Sequence, residues 1–292
     1  MVSTSSAALK VGRSAHPAPP APKSLLQEAF LGLRSDAESK GVGWGEWLSI
    51  ATATMVTLNS PSSLAALHHF AANGSSSSQA KLELDQRVQR ALLMREVGLK
   101  CIGFVGIPKV INNLAALRKA VDEDSELSQA LPTEPRRRLE GSDIPSVKKA
   151  AYNLWDDIYQ PHSDKLIGIL GQSHPDLPVF ILDGEYGPLF SPPHTFRAGA
   201  SEPSWEVGRL RTSLVAIAAL RAQGGVGPQV TSHVWGLIKA GPSIPAGCEN
   251  EEGLKWLTTE QGAEWVVKAV NGLSEVVEGH AGAEEEAVKS KL

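Results

Sequence analysis

The chain has 292 residues, of which 42% are hydrophobic and 21% are charged, values typical of a globular protein with one or two domains. Its net charge of −4 argues against a global attraction to nucleic acid or anionic membrane. No apolar run approaches the roughly 20 residues of a membrane-spanning helix. The two cysteines, Cys101 and Cys248, form neither a C-x-x-C motif nor a zinc-ligand set, so we expect no metal and no disulfide scaffold.

Residues 1–23 are rich in Ser, Ala and Pro and are predicted to be a disordered N-terminal segment, because they offer too little apolar surface for a core. They lack the hydrophobic centre of a secretory signal. Lys10, Arg13 and Lys23 precede the first acidic residue, Glu28, which leaves a mitochondrial leader as an alternative. The prolines oppose the amphipathic helix that such a leader forms.

A first helical repeat is predicted over residues 24–121. Apolar residues at helical spacing, with a Pro at the first position of the third helix, predict helices over 25–38, 44–58, 61–73, 82–103 and from Pro108 onward. Glu96 opens a strongly apolar stretch, so we expect it to be buried, and Cys101 is interpreted as a core thiol.

Residues 122–146 are polar, charged and Pro-containing, and they are predicted to be a linker. Arg136, Arg137 and Arg138 lie within it. Three adjacent arginines cannot all face one ligand from a helix, so a solvated surface is favoured over a phosphate site.

A second helical repeat is predicted over 147–279. Its helices are expected over 146–160, 161–171, 204–222, 227–241 and 259–278, with loops between them, including 241–253. The isolated apolar run at 179–182 is interpreted as a buried helical turn or an extended segment. No hairpin signal is convincing, so the predicted fold class is all-α.

The C-terminal residues 280–292 are predicted to be an exposed tail. The chain ends in Ser290, Lys291 and Leu292, and a C-terminal S-K-L is an address read by the peroxisomal import receptor. We therefore expect a peroxisomal location, with mitochondrion or cytoplasm as alternatives.

The two halves share a layout: a long helix, a turn, and a second helix that ends in Gly. The segments 48–74 and 212–241 can be laid side by side, which suggests two degenerate repeats of one ancestral unit.

The stretches "EYGPLFSPP" and "RLRTSLVAIAALRAQGGVGPQVTSHVWGLIKAG" resemble the carboxymuconolactone decarboxylase family of the alkylhydroperoxidase D-like superfamily. Residues 95–121, with a Gly-Ile-Pro turn, resemble a further segment of that family. The resemblance covers roughly 44–121 and 150–278. It implies an all-α bundle that forms homo-oligomers and needs no cofactor.

The redox members of that superfamily carry C-x-x-C-x-x-x-H on the second helix. Counting back from His233, the two cysteine positions hold Val226 and Gln229, so a dithiol peroxidase is excluded at this site. The first half has the Gly-Ile-Pro turn without the His, and the second half has the His. The resemblance therefore implies at most one complete site per chain, within one chain or shared with a neighbour.

The candidate catalytic residues are His233, Glu185 and Tyr186. His233 lies on or beside the apolar stripe of its helix, where an imidazole could move a proton near neutral pH. Glu185 and Tyr186 could present a carboxylate and a phenol to the same site. The alternative for each is packing, with His233 bonded to a carbonyl.

The candidate substrate-binding residues are Arg209, Arg211 and Gln229. Either arginine could hold a substrate carboxylate through two parallel hydrogen bonds. Gln229 lies one helical turn before His233 and could bond it or a ligand.

Two hypotheses follow for function. The first is a peroxisomal, cofactor-free lyase of the carboxymuconolactone decarboxylase type, acting by proton transfer or decarboxylation on a small carboxylated metabolite. The second is a non-catalytic oligomeric binding or scaffold protein that has lost the redox site.

Overall fold

We analysed a computed structural model that describes residues 21–74, 80–196 and 203–289. Ser290, Lys291 and Leu292 lie outside these ranges, as does the N-terminal segment up to residue 20. The all-α prediction is confirmed: the described residues are mostly helical, and their one β feature is an isolated bridge between Asn73 and Lys81.

The first half contains seven helices within the described ranges. They are α1 (Lys23–Ser39), α2 (Trp44–Thr57), α3 (Pro61–Ala71), α4 (Leu84–Lys100), α5 (Ile102–Val105), α6 (Ile107–Asp122) and α7 (Ser125–Ala130).

The second half continues with α8 (Ile144–Tyr159), α9 (Ser163–Ser173) and α10 (Leu177–Val179), followed by a π-helical segment, Phe180–Phe190. Then come α11 (Arg209–Gln223), α12 (Gly227–Ile238), α13 (Glu251–Leu257) and α14 (Glu260–Lys289). Short 3₁₀ turns occupy Gly141–Asp143, Pro193–Thr195 and Gly241–Ser243.

Helices α2 and α11 pack against each other at the centre of the bundle. Both are buried almost all round, as expected for sequences with so few charges after their first turns. Two hydroxyls inside α2 are satisfied locally, since Ser49 donates to the Gly45 carbonyl at 2.6 Å and Thr54 donates to the Ile50 carbonyl at 2.8 Å. The buried hydroxyls of Thr52 and Thr57 have no partner among the described residues. The other helices surround this central pair.

The structure differs from the predicted loop over 241–253, because α13 begins at Glu251. Its first turn carries Glu251 and Glu252, whose charges suit a helix N-terminus. Gly253 then lies so close to Gly41 that a Cβ would fall 2.0 Å from the Gly41 carbonyl oxygen. The backbone contact needs glycine there and holds α13 on the bundle.

The predicted linker contributes to the main core. Leu127 and Leu131 are buried in the same hydrophobic cluster as residues of both halves.

The arginines of the linker were expected to form a solvated surface, and this expectation is wrong for Arg136 and Arg137. Arg136 pairs with Glu206 through two hydrogen bonds at 3.1 and 3.0 Å, and Arg137 pairs with the buried Glu96. Desolvated carboxylates on neighbouring elements attract these side chains out of the solvent.

None of the helices within the described ranges is long and apolar enough to cross a membrane.

Candidate functional site

A second, smaller buried cluster lies beside the main core, where α8 packs against the π-helical segment. Its buried members are Ala151, Trp155, Ile158, Leu182, Tyr186 and Phe190. Trp155 and Tyr159 lie four residues apart on α8, so their rings share one face of the helix, with centroids 4.2 Å apart. Phe104 of α5 stacks on Phe190 at 5.0 Å, so the first half of the chain also contributes to this cluster.

His233 packs into the edge of this aromatic cluster from α12. Its side chain is 6% exposed, and its ring makes edge contacts with Phe104 at 6.1 Å and Tyr159 at 5.9 Å between centroids. Burial, with a smaller contribution from the positive charge of Arg209, lowers the pKa of His233 to about 4. The imidazole is therefore neutral at neutral pH.

A chain of hydrogen-bonding groups runs through the cluster. The Tyr159 hydroxyl lies 2.9 Å from the Tyr186 hydroxyl and 3.3 Å from Nε2 of His233. Burial raises the pKa of both tyrosines, and for Tyr186 it does so well above the ordinary value. Both phenols are protonated at neutral pH, so all three groups can exchange hydrogen bonds as neutral species.

Two polar atoms at this cluster have no hydrogen-bond partner among the described residues: Nδ1 of His233 and Nε1 of Trp155. An unsatisfied buried polar atom costs about 1–3 kcal/mol. Such atoms also occur elsewhere in the bundle, for example at Thr52 and Thr57 of α2. This cluster is the candidate functional site because its unpartnered atoms adjoin a hydrogen-bonded chain that includes His233.

A cavity of about 530 Å³ adjoins the cluster and has Tyr159 in its wall. Its apolar side includes Leu166, Ile169 and Trp235, and its polar side includes Lys165 and Lys239. Tyr159 thus borders the cavity and also contacts His233. We call this the α8–α12 cavity.

Glu185 and Tyr186, adjacent in the π-helical segment, both reach this region. Burial raises the pKa of the half-buried Glu185 carboxyl, and its charge opposes ionisation of Tyr186. Gly103 permits the close packing here. A Cβ on Gly103 would fall 2.4 Å from Cζ of Phe190 and 3.4 Å from Oε2 of Glu185.

Arg209 is held by its own protein neighbours. Its guanidinium pairs with Asp157 and donates to the Ser213 hydroxyl and the Gly236 carbonyl, each at 2.8 Å. These contacts tie α11 to α8 and α12, and they place a fixed positive charge near His233.

Arg211 lies elsewhere in the bundle. Its Nε donates to Glu46 of α2 at 2.9 Å, and its Nη1 donates to the carbonyls of Ser204 and Glu206 at 2.7 and 3.0 Å. Gln229 is exposed on the first turn of α12, whereas His233 is buried. The structure therefore gathers His233, Tyr186 and Glu185 in one region, with Arg209 at its border.

The buried Lys100 and the partly buried Arg137 support the end of the π-helical segment. Lys100 is completely buried, and its Nζ donates to the carbonyls of Phe190 and Val207, both at 2.6 Å. Arg137 donates to the carbonyls of Pro188 and Leu189 at 3.1 and 3.4 Å. Free carbonyls at a helix C-terminus favour such cationic donors. Burial lowers the pKa of Lys100 to about 7, and the charge of Glu96 opposes that shift.

The sequence interpretation did not identify Tyr159 or Lys100 as site residues. The i, i+4 spacing of Trp155 and Tyr159 could have indicated an aromatic face, but no local sequence pattern connects Tyr159 with His233.

Cys101 is buried, and burial raises the pKa of its thiol to about 12, so the structure places it in the core as an unreactive thiol. Over the described ranges, no group of three or more His, Cys, Asp or Glu side chains could hold a metal ion.

Among curated proteins, the chain is similar to "Peroxisomal protein 2" of Saccharomyces cerevisiae, to which it is 28% identical over 165 residues. The similar region is 50% of this chain and 54% of the relative, so the chain spans about half the length of the curated relative that it matches. The name of this relative confirms the expected peroxisomal location. No family model and no solved structure match the chain.

Proposed function

We propose that the protein is a cofactor-free enzyme of the carboxymuconolactone decarboxylase type, which transfers a proton on a small carboxylated metabolite bound in the α8–α12 cavity. The observation that carries this proposal is the buried chain Tyr186–Tyr159–His233, whose middle member also borders the cavity. Proton transfer needs a protonated group at the substrate and a dry environment that tunes its acidity.

Tyr159 is the proposed proton donor to the substrate. In this proposal Tyr186 and the Nε2–H of neutral His233 both donate to the Tyr159 oxygen, which leaves the Tyr159 proton free to point into the cavity. The lone pair of His233 Nδ1 is then the unpartnered atom. A neutral imidazole suits this role, because the protonated form would have to bury a charge.

We propose that the two lysines of the cavity, Lys165 and Lys239, attract the negatively charged carboxylate of the substrate. Lys165 is exposed at its edge, and Lys239 donates to the Gln160 carbonyl at 2.9 Å and to that of Ile158. Arg209 is proposed to act on the site through its field, since its guanidinium is already bonded to α8 and α12. Arg211, whose guanidinium bonds Glu46, is proposed to stabilise the α2–α11 contact.

The proposed reaction balances without a cofactor. The bond between the substrate carbon and its carboxylate breaks, CO₂ leaves, and the electron pair is delocalised into an adjacent carbonyl group. The carbon then takes the proton of Tyr159, and the resulting phenolate is stabilised by its two donors until solvent restores the proton.

The test measures CO₂ release from carboxymuconolactone and from a set of small β-keto acids. His233→Gln should lower turnover by about 100-fold or more, as loss of a positioned proton-transfer group does. His69→Gln, at an exposed histidine of α3, is the matched control and should retain turnover. Unchanged turnover in His233→Gln would exclude the proposed role.

Absence of turnover with every compound would favour the second function, a binding or scaffold protein. We also propose self-association, which is supported by exposed large apolar side chains: Trp235 at 53% and Ile169 at 47% in the wall of the cavity, and Phe180 at 63% on the π-helical segment. Sedimentation of the purified chain would measure its mass. The import receptor remains a proposed partner through Ser290, Lys291 and Leu292.

A further inference from the structure

A second cavity, of about 450 Å³, opens beside α4 and α6, away from the α8–α12 cavity. Six apolar side chains form much of its wall: Leu92, Leu99, Leu114, Leu117, Val121 and Leu131. Trp205 completes the apolar lining. A concave apolar surface with a few polar groups at one side is the usual form of a small-molecule site. We call it the α4–α6 cavity.

The charged groups of the α4–α6 cavity are predominantly positive. Four arginines line it, against two glutamates: Arg95, Arg118, Arg136 and Arg137, with Glu96 and Glu134. Arg137 and Arg136 are neutralised by Glu96 and Glu206, and Arg118 pairs with Asp122.

Arg95 differs from the other three, because no carboxylate of the described residues pairs with its guanidinium, which donates to the Pro132 carbonyl at 3.3 Å. Arg95 is exposed at the mouth of the cavity, where partial burial and, to a smaller extent, the neighbouring positive charge of Arg118 lower its pKa. Two like charges therefore lie near each other at the polar side of an apolar cavity. An anion bound there would relieve their repulsion and complete the hydrogen bonding of Arg95.

We propose that the α4–α6 cavity binds a carboxylate with an unbranched apolar chain of about ten carbons. The chain would lie against the leucines, and the carboxylate would face Arg95 and Arg118. Decanoate has twelve non-hydrogen atoms, and if each takes about the 30 Å³ that a water molecule takes in the liquid, they occupy roughly 360 Å³, less than the 450 Å³ of the cavity. The proposal is independent of the function proposed for the Tyr159–His233 site.

The test measures decanoate binding to the purified full-length chain by calorimetry. Decanol, with the same chain and a neutral head, should bind at least tenfold more weakly, and decyltrimethylammonium should not compete. Arg95→Gln should raise the decanoate Kd about tenfold or more. Arg221→Gln, which removes an exposed arginine of α11 that does not line the cavity, is the matched control and should leave it unchanged.

Leu99→Trp, which fills the apolar part, should abolish binding while circular dichroism remains that of the parent. Arg137 is left unchanged in these variants, since it also bonds the carbonyls of Pro188 and Leu189. No decanoate binding, equal affinity for decanol, or an Arg95→Gln variant that binds as tightly as the parent would each overturn the proposal. If Leu99→Trp does not fold, the decanoate Kd of the Arg95→Gln variant still tests the proposal.

Discussion

The Tyr159 hydroxyl lies 3.3 Å from Nε2 of His233, although 74 positions separate the two residues in the chain. The contact joins the end of α8 to the middle of α12. It converts a solitary buried histidine into one member of a hydrogen-bonded chain that reaches a cavity.

Removing the Tyr159 hydroxyl should lower turnover far more than it lowers the free energy of unfolding. We expect Tyr159→Phe to lower turnover about 100-fold or more while the free energy of unfolding falls by only about 1–2 kcal/mol, since the ring and its packing are retained. CO₂ release and urea denaturation measure the two effects. Tyr152→Phe, at an exposed tyrosine of α8, should alter neither. Equal losses of turnover in both variants would contradict a specific role for Tyr159.

The buried histidines should make the protein sensitive to mild acid. Burial lowers the pKa of His233 and of His68 from 6.5 to about 4 in the folded state. The unfolded chain therefore binds more protons between these values, so the stability that each histidine contributes is fully present above pH 6.5 and is lost as the pH drops toward 4. Each histidine contributes about 3 kcal/mol to this loss.

Urea denaturation at pH 7.5 and at pH 4.5 measures the loss in the free energy of unfolding on acidification. This loss should be smaller in the His233→Gln variant than in the parent. The ring of His233 should also fail to titrate near pH 6.5 by NMR. Titration at that pH would show that the imidazole is not buried as described.

Gly103 should not tolerate a side chain. A Cβ there would lie 2.4 Å from Phe190, so Gly103→Ala should destabilise the protein by about 1–3 kcal/mol through overpacking and should displace the Phe104–Phe190 stack. Gly272→Ala is the control, because nothing lies within 4 Å of its Cβ position on α14. Alanine suits a helix better than glycine, so this control should be neutral or stabilised by up to about 1 kcal/mol. Thermal unfolding compares the two.

The ion pair between Glu96 and Arg137 should be costly to break. Both side chains are largely buried, and Glu96→Gln would leave Arg137 and Lys100 without the carboxylate that offsets their charge. We expect a loss of about 3–5 kcal/mol in the free energy of unfolding. Glu123→Gln, at an exposed carboxylate after α6, should change it by less than about 0.5 kcal/mol. Similar urea midpoints for the two variants would show that the pair contributes little.

Most helices could be predicted from the sequence because their signals are local. The apolar repeat of α12 placed His233 toward the interior, the Pro at the start of α3 marked its first turn, and the apolar neighbours of Glu96 indicated its burial. The helices α7, inside the predicted linker, and α13 were missed, since helices of six and seven residues offer too few repeats to establish a period.

The ion-pair partners of the charged residues could not be predicted from local sequence patterns. Periodicity shows which face of a helix is buried, but not which other helix covers that face. Arg211 reaches Glu46 across 165 positions of sequence, and Arg137 reaches Glu96 across 41. Both arginines are therefore bound inside the protein, although their sequence context alone is compatible with a substrate role or an exposed surface.

The sequence by itself determined the all-α class, the course of most helices, and the burial of the imidazole of His233, because hydrophobic spacing and turn residues act within a few positions. Only the tertiary structure decided that His233 and Tyr186 both lie within hydrogen-bonding distance of Tyr159, and that Phe104 of the first half packs against His233. It also decided that the guanidinium of Arg209 forms an ion pair with Asp157. Those contacts depend on how whole helices pack, and that packing is set by the summed burial of many side chains distant in the chain.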